Sequence, residues 1–307
     1  MKKNFQIILP VFNEDELIET FLRLVEKVLS PLDSEFKLII VDDGSIDNTV
    51  EIIQKFEFKA VNISLELLQL TSNQGHQNAI REGIIHVSKK LDNTLSGLII
   101  MDADGEDDPE AIQELISMQE FDIVFVSRGK RKESTRFKIG YFVYKLLFKL
   151  ITGKTINFGN YSLLSPRVIK SISKKHFFHY SAFLSKQKFD IKKINYNRQK
   201  RIDGSSKMAF KNLLFHALKS FIEYAEEVVF FQLKIFAGIF LILTSTGMYI
   251  LYSKFIAKNA IIGWSSTLLV GLLNSLLIML SSIIISTLLL SIKNTLDQKN
   301  NTENLNK

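Results

Sequence analysis

The chain has 307 residues, room for one large domain or two modest ones, and carries a formal net charge of +7 with a pI of about 9.3. That balance points to an anionic partner: nucleic acid, anionic lipid or a phosphorylated substrate. There is no cysteine, which excludes disulfides and thiolate metal sites.

Two lysines precede the first apolar run, but Pro10, Asn13 and Glu14 interrupt it and it is too short for a signal-peptide core. Residues 6–11 read instead as a buried parallel strand, which keeps the N-terminal domain in the cytoplasm. Residues 14–29 have helical spacing in Leu17, Phe21, Leu24 and Val28. A second strand is predicted at 36–41 and a helix at 47–56, with Ser45 or Asp47 as N-cap. Residues 63–70 alternate like a third strand, and 75–89 read as a helix opened by Gly75. A fourth strand follows at 97–101, a helix at 109–118 and a fifth strand at 121–126. Strands separated by helical segments predict an α/β fold with a mostly parallel sheet covered on both faces.

Three of these strands end in polar clusters. Pro10, Phe12, Asn13 and Glu14 follow the first; Asp42, Asp43, Gly44 and Ser45 follow the second; Asp102 and Asp104, with Glu106, Asp107 and Asp108, follow the fourth. In a parallel sheet these ends share one edge, where open α/β sheets bind ligands. Caps and turns explain Gly44, Ser45 and Asp47 well, but Asn13, Asp42 and Asp104 poorly. Two carboxylates one residue apart at a strand end can converge on a hard cation, Mg²⁺ or Mn²⁺, whose other ligands are substrate phosphates and water. The plain alternative is a solvated acidic loop.

The segments VFNEDE, VDDGSIDNT, NQGHQNAIREG and MDADGEDDPE stand in the order seen in inverting family 2 glycosyltransferases. Over residues 5–207 the chain most resembles the polyisoprenyl-phosphate glycosyltransferases, which are similar to dolichyl-phosphate mannose synthase. The resemblance implies a GT-A (Rossmann-like) catalytic domain. It implies that Pro10, Phe12, Glu14 and Asp42 hold the nucleotide's base and ribose, with Asn13, Gly75 and Ala103 completing the nucleotide-sugar site. It implies that Asp102 and Asp104 bind the metal and the donor diphosphate. The family often has a lysine where His76 stands. Arg81 reads as a solvated helix residue, and His176 and His179 as surface or packing residues.

Residues 127–138, SRGKRKESTRFK, hold six basic residues and one acid. A charge run of this kind is usually a solvated loop; beside a membrane enzyme's site it can gather an acceptor phosphate. By resemblance Arg128 faces the reaction centre, with Arg131 and Arg136 as further acceptor-phosphate residues. Residues 136–152 are amphipathic, with Phe137, Tyr141, Tyr144, Phe148 and Ile151 on one stripe and Lys138, Lys145 and Lys149 about 100° round the axis. Such a helix suits either a membrane interface or the domain core.

Residues 157–164, NFGNYSLL, depart from the family pattern. Many relatives have Gly-Asp-Phe, with the aspartate a candidate base, where this chain has Gly159-Asn160-Tyr161. An asparagine cannot take a proton at neutral pH. A phosphate monoester, with a second pKa of about 6, needs no base. Asn160 therefore fits a lipid-phosphate acceptor, which it would orient by hydrogen bonds. In RIDGSSK, the residues Arg201, Ser206 and Lys207 match a family segment that closes over the diphosphate or acceptor.

Residues 235–253 and 259–292 carry no charge and are long enough to cross a bilayer core of roughly 30 Å. Lys219, Lys234, Lys293, Lys299 and Lys307 flank the pair on one side, and Lys254 and Lys258 on the other, which places the catalytic domain inside. Asn274, Ser275, Ser281 and Ser282 are candidates for bonds across helices. The polar residues 294–307 read as disordered.

The domains predicted are 1–207 catalytic, 208–228 a juxtamembrane amphipathic helix, 229–292 a two-helix transmembrane hairpin and 293–307 a polar tail. The expectation is a multi-pass protein of the inner (cytoplasmic) membrane. It transfers sugar from a nucleotide sugar, by resemblance a UDP-sugar, to a polyprenyl phosphate, using Mg²⁺ or Mn²⁺. Relatives suggest a homo-oligomer, and nucleic acid is not an expected partner because the basic residues cluster beside membrane-facing segments. Two rivals stand. One is a hydroxyl acceptor on a lipid-linked or surface glycan, with Glu106 or Asp107 as base. The other is a non-catalytic membrane scaffold.

Overall fold

The structure is a computed structural model that describes residues 2–128, 135–155, 158–196, 210–258 and 263–303. It divides into two compact units, Met1–Lys145 with Thr155–Glu223, and Leu146–Lys154 with Tyr224–Lys307. Arg131, Arg201, Ser206 and Lys207 lie outside the described residues, as do the side chains of Arg128 and Arg136.

In the first unit the chain runs β1 (Lys3–Val11), α1 (Ile18–Leu29), β2 (Ser34–Asp42), α2 (Thr49–Lys55), β3 (Ile63–Gln69), α3 (His76–Lys89), β4 (Leu95–Ile100), α4 (Ala111–Ser117) and β5 (Ile123–Arg128). It continues through α5 (Thr135–Thr152), whose residues from Leu146 on belong to the second unit, and then β6 (Phe158–Leu164), α6 (Pro166–Ile172), α7 (Tyr180–Lys186), β7 (Ile191–Tyr196) and α8 (Phe210–Glu223). The seven strands form one sheet in the order β3-β2-β1-β4-β6-β5-β7. Consecutive residues Ile7, Ile8 and Leu9 are all fully buried, as a strand covered on both faces requires. Helix α1 buries Ile18, Phe21, Leu22, Val25 and Leu29 at helical spacing. It begins at Ile18, later than predicted, because the Glu14 carbonyl first accepts from both Leu17 and Ile18 N–H and closes a turn.

The sheet is mostly parallel, as expected, but β6 runs antiparallel to both β4 and β5 and lies between them. The segment read only as a motif is thus a central strand. Gly97 of β4 admits it: a Cβ there would lie 2.7 Å from Leu163 Cδ1. Five of the seven strands were predicted; β6 inserts antiparallel between β4 and β5 and β7 adds beyond β5, pairings with strands distant in sequence that the alternation of strands and helices does not signal.

In the second unit, α9 (Ala225–Phe255) and α10 (Trp264–Glu303) are each long and apolar enough to cross a membrane, over Ala225–Phe255 and Ser266–Ile292. Gln232 Nε2 donates to Ser282 Oγ at 3.2 Å, a bond between the two helices. Ser275 and Ser281 instead donate to Gly271 and Leu277 carbonyls of their own helix. The stretch after Ile292, read as disordered, continues α10 to Glu303, since adding residues to a formed helix costs little beside nucleating one. Phe148 packs edge-to-face on Tyr224 at 5.2 Å, while in the first unit Tyr144 bonds to Ser220 at 2.9 Å. The exposed apolar residues of α5 are Phe142, Val143, Leu146, Leu147 and Leu150, a stripe next to the one predicted.

Candidate active site

The C-terminal ends of β1, β2 and β4 share one edge of the sheet, as the parallel register Val11 with Asp42 and Ile8 with Ile100 requires. There the loops are laced together. Asn13, at φ 52°, donates its N–H to Ser45 Oγ at 2.9 Å and accepts from Ile46 N–H through Oδ1 at 2.9 Å. Glu14 N–H donates to Thr49 Oγ1 at 2.9 Å, and Thr49 N–H to Asp47 Oδ1 at 3.0 Å. Asp47 thus does the capping work expected of it, although the cap position itself is Asn48. Pro10 is buried and Phe12 exposed at this rim.

Asp42 ends β2 and accepts from Ser45 N–H on both carboxylate oxygens, each at 3.2 Å. Its neighbour Asp43, not among the predicted site residues, accepts from Gln74 N–H at 2.8 Å and Gly75 N–H at 2.9 Å. A single carboxylate therefore fixes the approach to α3. Gly44 has φ +75°, and a Cβ would meet the backbone of Ser72 and Asn73 at 2.8 Å, so glycine is required there. Gly75 has φ +91° and opens α3 with space around it.

Asp102 and Asp104 follow β4, and both are half-buried. Asp102 N–H donates to Asp107 Oδ2 at 3.0 Å, and Glu106 N–H to Asp104 Oδ1 at 3.0 Å, so the acidic loop folds on itself through backbone amides. Ala103 is buried between the two acids. Among the described residues no set of three or more His, Cys, Asp or Glu is arranged as a complete metal cage. Asp102 and Asp104 are the two carboxylates here that could serve a hard cation together with phosphate oxygens and water, as Mg²⁺ sites commonly do.

His76, the first residue of α3, joins this loop to β6. Its Nε2 lies 3.1 Å from Asp102 Oδ1 and 2.9 Å from Asn160 Nδ2. Desolvation disfavours the charged imidazole, but the carboxylate of Asp102, helped by Asp104 and Asp107, outweighs it and raises the His76 pKa. The side chain keeps 41% of its surface exposed, so water screens both effects. The carboxylate calls for an N–H on Nε2, whereas the amide nitrogen calls for a lone pair. His76 is therefore paired with Asp102.

Beneath this contact the side chains are buried. Gln77 Nε2 approaches Asn160 Oδ1 at 3.5 Å, and Gln77 Oε1 accepts the Tyr180 N–H. Tyr161 donates to the Asp108 carbonyl at 3.0 Å, and burial together with Asp107 raises its hydroxyl pKa well above the ordinary value. Arg81, read as solvated, pairs with Glu82 at 3.1 Å, and His179 caps α7 by accepting from Ala182 N–H. The structure brings Gly75, Asp102 and Asn160 together through Asp43 and His76. Gln77 lies within the NQGHQNAIREG segment without being singled out there, and Tyr180 lies in none of the segments quoted from the sequence.

The family model described as "Glycosyl transferase family 2" matches residues 6–173. An uncharacterized glycosyltransferase of Bacillus subtilis, YkcC, is 28% identical over 291 residues, 90% of this chain and 85% of that protein. The undecaprenyl-phosphate 4-deoxy-4-formamido-L-arabinose transferase of Salmonella choleraesuis is 30% identical over 164 residues, 53% of this chain and 47% of that one, so the match spans about half of that relative. Mannosyl-3-phosphoglycerate synthase of Rubrobacter xylanophilus superposes with a TM-score of 0.54 at 11% identity, covering 74% of each chain. Glucosyl-3-phosphoglycerate synthase of Mycobacterium tuberculosis, solved with Mn²⁺, UDP and glucosyl-3-phosphoglycerate, gives 0.52 at 13% identity, covering 73% of this chain and 80% of that one. These likenesses show the GT-A fold expected from the sequence.

Proposed function

The chain belongs to glycosyl transferase family 2, and from that premise we propose that it moves one sugar, with inversion, from a nucleotide sugar to a polyprenyl phosphate at the cytoplasmic face of the membrane. The observation that carries the acceptor is Asn160: a buried amide, not a carboxylate, stands 2.9 Å from the histidine that pairs with Asp102. The Salmonella relative, named for an undecaprenyl-phosphate acceptor, supports the same class of substrate. The two apolar helices supply an anchor for an enzyme whose acceptor stays in the bilayer.

In this reading Asp102 and Asp104 would hold Mg²⁺ or Mn²⁺. When bound, the cation neutralises charge on the leaving nucleotide diphosphate. The rim formed by Pro10, Phe12, Asn13, Glu14 and Asp42 takes the base and ribose, and Gly75 opens α3 toward the diphosphate or sugar. Asn160 gives an N–H to the acceptor phosphate, already ionised near neutral pH, and holds it in line with the anomeric carbon. Arg128 ends β5 opposite Tyr196 of β7 and serves, with Arg131, Arg136, Arg201, Ser206 and Lys207, to steer and neutralise the anionic partners.

The test is incubation of the detergent-solubilised protein with a panel of radiolabelled nucleotide sugars and pure polyprenyl phosphate. A mild-acid-labile glycosyl phosphate is the expected product. Transfer only to a glycan hydroxyl would refute the acceptor assignment and turn attention to Glu106 and Asp107 as bases.

A further inference from the structure

We propose that Gln77 is a positioning residue that fixes the polarity of Asn160, turning its NH2 group toward His76 Nε2 so that the crevice presents a hydrogen-bond donor suited to an anionic oxygen at that point. The inference deepens the acceptor reading above and rests on it. A side-chain amide fits either way round by shape; what orients it is a partner able to play one role only.

The backbone N–H of Tyr180 is such a partner. Tyr180 is the first residue of α7, so its N–H has no acceptor within the helix. It donates to Gln77 Oε1, which leaves Gln77 Nε2 facing Asn160. A donor on that side draws Oδ1 of Asn160 to itself at 3.5 Å and sends Nδ2 the other way, to 2.9 Å from His76 Nε2. The link between the two amides is the longest in the series, an electrostatic preference more than a strong bond. Yet Gln77 and Asn160 are 8% and 6% exposed and Tyr180 is fully buried, so little water is at hand to offset a reversed amide.

Tyr180 also holds the strand. Ser162 donates its one hydroxyl hydrogen to the Asn160 carbonyl at 2.9 Å, which leaves the Tyr180 hydroxyl to donate to Ser162 Oγ at 2.8 Å. One buried tyrosine thus reaches the Asn160 backbone through Ser162 and its side-chain amide through Gln77. The polarity is set from the protein interior and does not depend on the protonation of His76. A phosphate oxygen can receive the Nδ2 hydrogens; a sugar hydroxyl that must lose its proton meets a donor where it needs a base.

The experiment uses the full chain in nanodiscs, with KM for polyprenyl phosphate and for the nucleotide sugar measured separately. Q77E keeps an acceptor for the Tyr180 N–H but sets a second acceptor against Asn160 Oδ1 and so reverses the amide. The acceptor KM should rise roughly tenfold or more, with the donor KM changed less than twofold. In an N160A background the same Q77E change should alter the acceptor KM less than twofold. Should Q77E accumulate unfolded, Q77M, which lacks both amide atoms, should give the same acceptor-selective rise. Equal rises in both KM values, or an effect that persists in N160A, would overturn the role of Gln77, as would an unchanged acceptor KM in a working wild-type background. No transfer to polyprenyl phosphate by the wild type would sink the acceptor reading itself.

Discussion

Nε2 of His76 stands between Nδ2 of Asn160 at 2.9 Å and Oδ1 of Asp102 at 3.1 Å, and so couples the strand that lacks a base to the loop that carries the acids.

Replacing that amide by an acid tests the coupling. N160D places another carboxylate against Asp102 and the anionic acceptor. Like-charge repulsion at an effective dielectric near 20 is worth a few kcal/mol at most, so transfer to polyprenyl phosphate should fall about tenfold to hundredfold, with the loss in acceptor KM. A faster N160D enzyme would mean that the acceptor needs a base.

The β2–α2 turn gives a stability prediction. Gly44 sits at φ +75° with the backbone of Ser72 and Asn73 at 2.8 Å from any Cβ. G44A should cost about 2 kcal/mol or more from strain and overlap together, seen as a lowered midpoint in thermal unfolding. An unchanged midpoint would show that the neighbouring loop yields freely.

A pH prediction comes from β3, at the C-terminal end of α3. Lys37 at 2.6 Å, and then Lys90 at 2.8 Å, hold the Glu66 carboxyl down to about 2, against desolvation that pushes it up. A depressed carboxylate stabilises the fold above its unfolded value and loses that contribution as pH falls through its folded value. With Glu66 25% exposed, the full linkage value is discounted for screening to about 1 kcal/mol. E66Q should therefore be less stable by about 1 kcal/mol at neutral pH, with the difference fading from pH 4.5 toward 2. A difference that does not change with pH would assign the effect to packing.

Much of this was legible in the chain. The alternation through β5 followed from apolar runs broken at regular intervals, and Asp102 and Asp104 stood out as two carboxylates one residue apart at a strand end, although Asp104 also closes a turn by accepting from Glu106 N–H. The position of β6 was not legible: its placement depends on antiparallel pairing with Leu98 and Ile123, far away in sequence. The role of Gln77, a residue of the NQGHQNAIREG segment, was not legible for a related reason, since its orientation is set by an N–H 103 residues further on. The contact of His76 with Asp102 likewise belongs to the placement of α3 over β1 and β2, not to any local spacing. The extension of α10 ran against composition, which signals solvation but not whether a formed helix stops.

The most direct measurement compares initial rates of sugar transfer from the nucleotide donor to polyprenyl phosphate, with saturating Mn²⁺, for the wild type, D102A and D104A. If this carboxylate pair stabilises the leaving diphosphate through a cation, each variant should lose about a thousandfold or more while keeping the wild-type unfolding midpoint. A folded D102A or D104A protein that transfers sugar at the wild-type rate would contradict the account.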